Sequence, residues 1–313
     1  MSEQALELEI EQTVYVILNP RAGKGKAKRL ERKIRAALGN RATMVVTTEA
    51  GGAKVLAYEA AKAGWKIVVA AGGDGTINEV VNGILRAEEE GVAKPTIGII
   101  PVGRGNDFAW ALQLPTTIEE SIDLIFSGRT KEIDAAISYG GNYPEGRYFI
   151  NGLGIGFEPL VNFAASSFKR ISGTFSYVIA LIRVMINYPK AYAIEVTLDD
   201  TEFHLESQQI SICNGRRMGS AFIMAPNARY DDGLLDVVYT NRPLRQRKFI
   251  PLAMHVLKGS QTNLEEFTEQ RAKRARFYAP DHLMPVHVDG EEISLGCHEI
   301  SIEIREKAVT IFA

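Results

Sequence analysis

A nearly continuous apolar segment followed at once by a glycine-rich loop is the feature that most constrains this fold. Residues 66–71 (KIVVAA) are rich in apolar and β-branched types, and residues 72–76 (GGDGT) follow them directly. A helical pattern comes next, with its apolar residues on one face: Ile77, Val80, Val81, Ile84 and Leu85. A strand without polar alternation is buried on both faces, which is typical of a parallel sheet covered by helices. We therefore expect residues 66–71 to form a central strand.

The alternation of strands and helices extends over the first 130 residues. Further strands are expected at 13–18, 42–48 and 96–100, and helices at 27–38, 54–63 and 118–126. This order predicts an α/β domain with a parallel sheet over residues 1–130.

From residue 131 onward the pattern changes to short alternating runs, which predict a β-rich antiparallel domain over residues 131–313. Strands are expected at 192–198, 201–205, 209–213, 234–239, 299–305 and 309–312, with helical insertions near 159–188 and 244–257. Asp199 and Asp200 have the character of a hairpin turn. The sequence leaves open whether the last strand returns to the first domain.

Composition excludes several classes of protein. The chain of 313 residues has 36 Lys and Arg against 38 Asp and Glu, so a broad nucleic-acid surface is not expected. No apolar run approaches the roughly 20 residues of a membrane span, and residues 1–12 do not resemble a secretory signal. Cys213 and Cys297 lack metal-binding spacing. We expect a cytoplasmic protein whose oligomeric state, a homodimer included, the sequence does not determine.

The glycine loop is suited to phosphate. Gly72, Gly73 and Gly75 would let backbone amides approach an anion, and the dipole of the following helix favours negative charge there. Asp74 would repel phosphate, so its presence predicts Mg²⁺ between the two. The alternative is a tight strand-to-helix turn with an exposed aspartate. Thr76 and Glu79 are three residues apart, which predicts a capping box at the start of the helix.

Two more loops follow strands at the same edge of the predicted sheet. Residues 19–25 end the first strand and residues 101–107 end the fourth. Ligands bind beyond the carboxyl ends of such strands, so we expect the three loops to converge. Lys24 and Arg104 would then give positive charge to a triphosphate, and Asp107 would add a second carboxylate for metal.

Later motifs are less specific. Asp289, Gly290 and Glu291 follow an alternating strand, where either acid could act as a base toward a hydroxyl group; a hairpin with two solvated acids is the alternative. The acidic turn at 231–236 is by itself typical of a solvated loop. Glycines 152, 154 and 156 predict close backbone packing within a strand. The five histidines have no metal-ligand spacing, and no role is expected for them.

Taken in their order along the chain, the motifs resemble those of the diacylglycerol kinase catalytic-domain family. The likeness is greatest to the soluble bacterial lipid kinases of that family, and the sphingoid and ceramide kinases are also similar. The motifs are Asn19-Pro20 with Gly23, Gly72–Thr76 with Asn78-Glu79, Gly103 with Asn106-Asp107-Phe108, Asp231–Asp236, and Asp289–Glu291. The glycine loop alone is shared with NAD kinases and, more distantly, with phosphofructokinases.

The resemblance implies an ATP-binding α/β domain, similar to that of NAD kinases and phosphofructokinases, and a lipid-binding β-sandwich domain, with catalysis in the cleft between them. It implies an ATP- and Mg²⁺-dependent lipid kinase that transfers the γ-phosphoryl group to a lipid hydroxyl at a membrane surface, with diacylglycerol as the first hypothesis. Alternatives are a kinase for sphingoid bases or other lipid alcohols, an NAD kinase-like enzyme, and a non-catalytic nucleotide or lipid sensor.

The resemblance also implies site residues. Nucleotide contacts fall on Asn19, Pro20, Arg21, Ala22, Gly23, Thr48, Gly72, Gly73, Asp74, Gly75, Thr76, Ile77, Asn78 and Arg104; the loop argument adds Lys24 and Asp107. A structural Mg²⁺ maps to the Asp232 carboxylate and the backbone carbonyls of Arg229 and Leu234. The general base maps to Asp289 or Glu291, and Asp74 would organise metal and phosphates. The chain departs from the family at position 104, usually Thr, and at Trp110, commonly Arg.

Two features bear on lipid access. Basic clusters at 242–248 and 271–276 are either solvated faces or contacts to an anionic membrane surface. Apolar residues in the first helical insertion are expected to be mostly core, although they could also face a lipid tail: Phe163, Phe168, Phe175, Tyr177 and Leu181.

Overall fold

The computed structural model describes residues 13–168 and 174–313, with the backbone alone at 166 and 174–178. The chain divides into two compact units, the first formed by residues up to Ala135 together with Glu306–Ala313, the second by Ala136–Arg305. The chain crosses this boundary within two strands, β5 (Thr130–Gly140) and β18 (Glu299–Phe312). Residues 1–12, where the sequence predicts no secretory signal, lie outside the described part.

The first unit is an α/β layer structure. Its parallel strands are β1 (Val14–Leu18), β2 (Thr43–Val46), β3 (Ile67–Gly72) and β4 (Thr96–Pro101), in the order β2-β1-β3-β4, and the end of β18 pairs in parallel with β4. Its helices are α1 (Ala22–Leu38), α2 (Gly52–Lys62), α3 (Asp74–Glu89), α4 (Asp107–Ala111) and α5 (Ile118–Ser127). The expected central position of β3 is confirmed, since it lies between β1 and β4.

The first helix differs from expectation at its start. Helical hydrogen bonding begins at Ala22, but Gly23, Lys24 and Gly25 have left-handed dihedrals. The regular helix therefore begins close to the predicted residue 27. The preceding turn bends the chain sharply, so that Gly23 closely approaches Val102 of the loop after β4.

The predicted capping box is wrong. Helix α3 begins at Asp74, with Gly73 as an N-cap that offers no side chain. The Thr76 hydroxyl accepts a hydrogen bond from Asn19 Nδ2 at 3.1 Å. The Glu79 carboxylate accepts from the amides of Gly51 and Ala53 at 3.1 and 2.9 Å, near the start of α2. Both side chains therefore bind partners far away in sequence, which a local motif does not reveal.

The second unit contains two antiparallel layers. One has the order β14-β13-β10-β7-β16-β17, and the other includes β18-β15-β8-β9 and the β5-β6 pair. The bounds are β6 Tyr143–Phe149, β7 Gly152–Gly156, β8 Tyr192–Leu198, β9 Thr201–Ser207, β10 Gln209–Cys213, β11 Arg217–Met218, β12 Phe222–Ile223, β13 Leu235–Thr240, β14 Phe267–Ala272, β15 Arg274–Tyr278, β16 Met284–Val288 and β17 Glu291–Cys297. The helices are α6 (Phe157–Ser166), α7 (Thr174–Ile186) and α8 (Gln246–Lys258), followed by a 3₁₀ turn at Gln261–Asn263.

A single apolar core lies between these two layers. It combines Leu153 of β7 and Ile212 of β10 from one layer with Val196 of β8, Phe277 of β15 and Ile302 of β18 from the other. Burial of side chains from both inner faces is what holds two sheets together as a β-sandwich. The predicted antiparallel, β-rich second part of the chain is confirmed.

Two details of the strands compare with expectation. The Asp199-Asp200 turn is confirmed, because Leu198 pairs with Thr201 and Asp199 has a positive φ of 50°. The two strands expected at 299–305 and 309–312 are instead one strand, β18. The apparent break corresponds to Lys307, whose left-handed φ of 50° is accompanied by a hydrogen bond from its amide to the buried Asp134 carboxylate.

None of the described helices has the length and apolar character needed to cross a bilayer. Phe163, Phe168 and Leu181 are half-buried. The side chains of Phe175 and Tyr177 lie outside the described part.

Candidate active site

Three loops of the first unit converge through close backbone contacts, as the sequence predicts. A Cβ on Gly23 would lie 2.6 Å from the carbonyl oxygen of Val102. A Cβ on Gly103 would lie 2.4 Å from the Cα of Gly73. The amides of Val102 and Gly103 both donate to the carbonyl oxygen of Gly72, at 2.9 and 3.1 Å. We call residues 19–24, 72–78 and 102–108 the nucleotide loops.

Side chains complete the nucleotide loops. Asn19 joins the first two, because its amide group donates to Thr76 while its Oδ1 accepts from the Arg21 amide at 3.0 Å. Asp74 joins the second to the third, since its Oδ1 accepts from the Phe108 amide at 3.1 Å. Asp107 begins α4 and is only 6% exposed. The two carboxylates therefore lie at the same edge of the sheet, and Asp74 also holds the third loop in place.

The other residues that the sequence predicts to contact the nucleotide differ in their exposure to solvent. Arg21, Lys24, Thr48 and Arg104 are exposed, whereas Pro20, Ala22 and Gly75 are partly buried. The side chains of Ile77 and Asn78 are buried, and Asn78 accepts from Asn82 within α3. Those two residues can therefore offer a ligand only their backbone. An open cavity of about 620 Å³ adjoins the first loop, with Pro20, Arg21, Lys24, Lys28 and Val46 among its lining residues.

In the second unit, the Asp289 side chain binds three backbone amides. Its Oδ2 accepts from the Ile150 amide at 3.1 Å, and its Oδ1 accepts from the amides of Asn151 and Gly152, both at 3.0 Å. Asp289 and Gly290 both have positive φ, at 47° and 85°, as a tight turn between β16 and β17 requires. Three backbone amides therefore bind the Asp289 carboxylate and fix the turn. We call residues 289–291 the base turn.

Glu291 has a different environment. Its side chain is 38% exposed, and its Oε2 accepts a hydrogen bond from Arg147, whose own side chain is 8% exposed. The Arg147 guanidinium also lies over the Tyr143 ring, 5.3 Å from its centroid. A buried, stacked arginine holds one position well, so it can orient a carboxylate that still reaches solvent.

Buried polar groups support the base turn from behind. Nε2 of His287, a residue only 3% exposed, lies 3.1 Å from Glu158 Oε1, while its Nδ1 accepts from the Gly290 amide at 3.3 Å. Glu158 Oε2 in turn accepts from Gln209 at 3.1 Å. Asn162 Nδ2 donates to the Gly290 carbonyl at 2.7 Å. The turn is therefore held through both its backbone and its Asp289 side chain.

The glycine run before this network behaves as the sequence predicts. Gly152–Gly156 forms β7, and a Cβ on Gly154 would lie 2.7 Å from His287 Nε2 and 2.8 Å from Glu158 Oε2. Glycine here makes room for a buried polar pair. The prediction of close packing is confirmed, whereas the expectation that no histidine has a role is wrong for His287.

Sequence reasoning missed Arg147, Glu158, Asn162 and His287. Arg147, Glu158 and Asn162 lie more than 125 residues from the base turn, 144 in the case of Arg147 and Glu291, and His287, two residues before Asp289, has no spacing that indicates its contact with Glu158. The one available signal was the glycine run, since a strand with glycine at alternate positions predicts a bulky neighbour on that face.

An acidic cluster lies elsewhere in the second unit. Asp232 Oδ1 accepts from the Leu234 amide at 3.2 Å, and Asp236 is fully buried beside Arg271, at 3.0 Å. Burial raises the pKa of Asp236 to about 6, although the hydrogen bond from Arg271 opposes this. Asp236 Oδ2 and Glu269 Oε1 are buried without a hydrogen-bond partner in the described part of the chain. Negative charge here is not fully compensated, which fits a cation.

The described side chains do not form a complete metal site. Within residues 13–168 and 174–313, no three His, Cys, Asp or Glu side chains converge closely enough to hold an ion by themselves. A magnesium ion near Asp232 would therefore need backbone carbonyls and water in addition, and both are common ligands of hard cations.

Comparisons with known proteins agree with these features. The diacylglycerol kinase catalytic domain model matches residues 13–137, and the YegS C-terminal NAD kinase beta sandwich-like domain model matches residues 152–313. The diacylglycerol kinase of Bacillus subtilis strain 168 is 31% identical over 247 residues, covering 78% of this chain and 77% of that one. A Chromohalobacter salexigens protein named probable lipid kinase YegS-like is 29% identical over 295 residues, covering 93% and 90%.

A solved structure shows the same fold. A diacylglycerol kinase from Bacillus anthracis strain Sterne superposes with a TM-score of 0.68 at 22% identity, covering 96% of both chains. The two matched domains cover residues 13–137 and 152–313, and the nucleotide loops and the base turn lie within them. The chain belongs to the diacylglycerol kinase catalytic-domain family and is a lipid kinase, a phosphotransferase that uses a nucleotide donor.

Proposed function

We propose that this lipid kinase phosphorylates diacylglycerol, with ATP as donor, Mg²⁺ as metal and Glu291 as general base. The observation that carries the assignment is the division of labour within the base turn. Asp289 accepts three backbone amides, whereas Glu291 is partly exposed and oriented by a buried arginine. Both acids are partly exposed, but the Asp289 carboxylate is bound by three backbone amides, whereas Glu291 is oriented by the side chain of a buried arginine, as suits a base toward a hydroxyl group.

The base turn and the nucleotide loops have different roles in the proposed phosphoryl transfer. Glu291 accepts the proton of the lipid hydroxyl, and the oxygen bonds to the γ-phosphorus while the bond from that phosphorus to the bridging oxygen breaks and ADP leaves. The nucleotide loops supply backbone amides at the start of α3, and Lys24 and Arg104 add exposed positive charge for the phosphates. Asp74 holds the third loop through the Phe108 amide, and Asp74 and Asp107 are the carboxylates that would bind a nucleotide-bound metal.

The structural Mg²⁺ is proposed at Asp232 and the carbonyls of Arg229 and Leu234. Asp236 Oδ2 and Glu269 Oε1, buried without a hydrogen-bond partner among the described residues, support a cation there. When bound, the ion would neutralise this acidic cluster and hold the 229–236 turn.

Diacylglycerol is favoured over other lipid alcohols by the Bacillus subtilis relative, which is named a diacylglycerol kinase. The YegS-like relative covers more of the chain and is named only as a lipid kinase. Sphingoid bases, ceramide and NAD are therefore included in the test as competing acceptors.

The test is a labelling experiment. Purified protein is incubated with γ-labelled ATP, Mg²⁺ and a mixed lipid extract, then with diacylglycerol, sphingosine, ceramide and NAD separately, and the labelled product is identified. Labelled phosphatidic acid as the main product supports the proposal. Main labelling of another lipid, or of NAD, contradicts the substrate assignment, and equal activity in excess EDTA contradicts the metal requirement.

A further inference from the structure

Helix α8 carries two apolar stripes, of which only one is packed against other described residues of the protein. Its inward stripe is Phe249, Leu252 and Val256, of which Leu252 is buried and the other two are partly buried; the Phe249 and Phe157 ring centroids are 4.1 Å apart. A second stripe is exposed: Ile250 by 66%, Met254 by 50% and Leu257 by 37%. A surface helix of a soluble domain normally has one apolar stripe.

Helix α7 repeats this pattern next to it. Ala180 and Val184 are buried, whereas Ile179, Ile182 and Ile186 are 37%, 55% and 75% exposed. The two helices are in contact, since the Gln246 side chain donates to the carbonyl of Met185. Among the described residues of the second unit, nine large apolar side chains are exposed, and six of them belong to α7 and α8. We call these six the exposed stripes.

The two segments of sequence that carry the exposed stripes contain basic residues and no acidic ones. Residues 241–263 contain five Lys and Arg and no acid, and residues 174–194 contain Arg183 and Lys190 and no acid. On α8, Arg247 lies three residues before Ile250 and Lys258 four after Met254, so exposed cations stand at both ends of the stripe. Lys248 is already paired with Glu266, at 2.7 Å.

We propose that the exposed stripes of α7 and α8 dock on the surface of an anionic lipid bilayer. The isoleucine and methionine side chains enter the boundary of the acyl chains while the flanking cations contact the headgroups. A second copy of this chain is a poorer occupant, because it would place the same cations against each other. The inference deepens the proposed function, since a substrate with two acyl chains remains in the bilayer.

Sedimentation with vesicles tests the docking without any turnover. The intact protein is mixed with vesicles of phosphatidylcholine alone or with 30% phosphatidylglycerol (about one lipid in three, enough to give a negative surface). We expect binding to the anionic vesicles, weakened at high salt because exposed charges are then screened. Equal binding to both vesicle types, or binding to neither, contradicts the proposal.

Two double variants locate the contact. I250S/M254S should weaken vesicle binding about tenfold or more, because two large apolar side chains no longer leave water. V55S and L295S are the matched controls, since Val55 and Leu295 are 60% and 71% exposed on other elements. In R247Q/K258Q, the affinity for anionic vesicles should fall about fivefold for each charge removed. R129Q/K131Q, which removes two cations elsewhere, is the control and should keep its affinity. Equal losses in the controls would contradict a specific surface.

The remaining outcomes separate this inference from the proposed function. Light scattering tests whether the wild type is a dimer. If it is, and if I250S/M254S dissociates the dimer but leaves vesicle binding unchanged, the stripes bind a second copy of the chain and the proposal is contradicted. If the wild type phosphorylates diacylglycerol, the stripe variants should lose activity on long-chain substrate in vesicles and keep it on a dispersed short-chain substrate. If diacylglycerol is not the substrate, vesicle binding by the wild type and its loss in the variants still support the docking surface.

Discussion

The nucleotide loops and the base turn are built by different means. In the first unit, glycines bring backbone to within contact distance, as at Gly23 beside Val102 and Gly103 beside Gly73. In the second unit, buried side chains hold a turn whose residues have strained dihedrals, with Asp289 on three amides and His287 behind Gly290. Backbone-built sites leave a local signature of glycines, whereas sites built by side chains depend on partners far away in sequence.

The sharpest test of the base turn is Glu291→Gln. We expect kcat to fall at least about 100-fold, because a positioned base contributes roughly 10²–10⁴ to such a reaction. Glu292→Gln, at the exposed neighbouring position, should keep activity. Steady-state kinetics with thermal unfolding as a folding check measures this. Full activity of Glu291→Gln would remove the proposed base.

The structural role of Asp289 predicts a different phenotype. Asp289→Asn should lower the free energy of unfolding by about 2–4 kcal/mol, because an amide group cannot accept from all three backbone donors and its NH₂ group faces one of them. Urea denaturation followed by circular dichroism measures the loss. A variant as stable as wild type but inactive would instead make Asp289 the base, and would reverse the division of labour within the turn.

The nucleotide loops offer a matched pair of glycines. Gly23→Ala and Gly25→Ala both place a side chain at positive φ, at 59° and 82°, but only the first brings a Cβ to 2.6 Å from Val102, while the second meets nothing within 4 Å. The backbone strain of about 1 kcal/mol is shared by both variants and cancels in the comparison. Because only Gly23→Ala also brings a side chain against Val102, we expect its KM for ATP to be about tenfold or more above that of Gly25→Ala. Equal effects would show that convergence of the loops does not matter for binding.

The last prediction concerns the acidic cluster. The folded-state pKa of Asp236, about 6, lies above its ordinary value of 3.8. The folded protein therefore holds this proton more tightly, and in EDTA the unfolding free energy should fall as pH rises from about 4 to 6, on the order of 2 kcal/mol. Asp236→Asn should flatten that part of the profile. Added Mg²⁺ should stabilise the protein at pH 7, and a metal-independent profile would count against the proposed cation site.

Much of the fold follows from patterns that the sequence displays. The parallel strands of the first unit, the central place of β3 and the antiparallel strands 192–198 and 209–213 correspond to runs of apolar residues with period one or two. The capping box failed because Thr76 and Glu79 bind Asn19 and the 51–53 amides, which lie 26 to 57 residues away. The prediction of a break in β18 was wrong because the strand continues through a single left-handed residue, Lys307, whose amide is bound by a buried aspartate of another strand.

By itself, the sequence determined the architecture of the two units, the convergence of the glycine loops and the family, because hydrophobic periodicity and glycine placement act locally along the chain. Only the tertiary structure decided that Glu306–Ala313 belongs to the first unit, that the Asp289 carboxylate serves three amides, and that Arg147 and His287 stand behind the base turn. Those outcomes depend on which distant polar groups become neighbours once water is excluded, since every buried donor and acceptor then needs a partner within the protein.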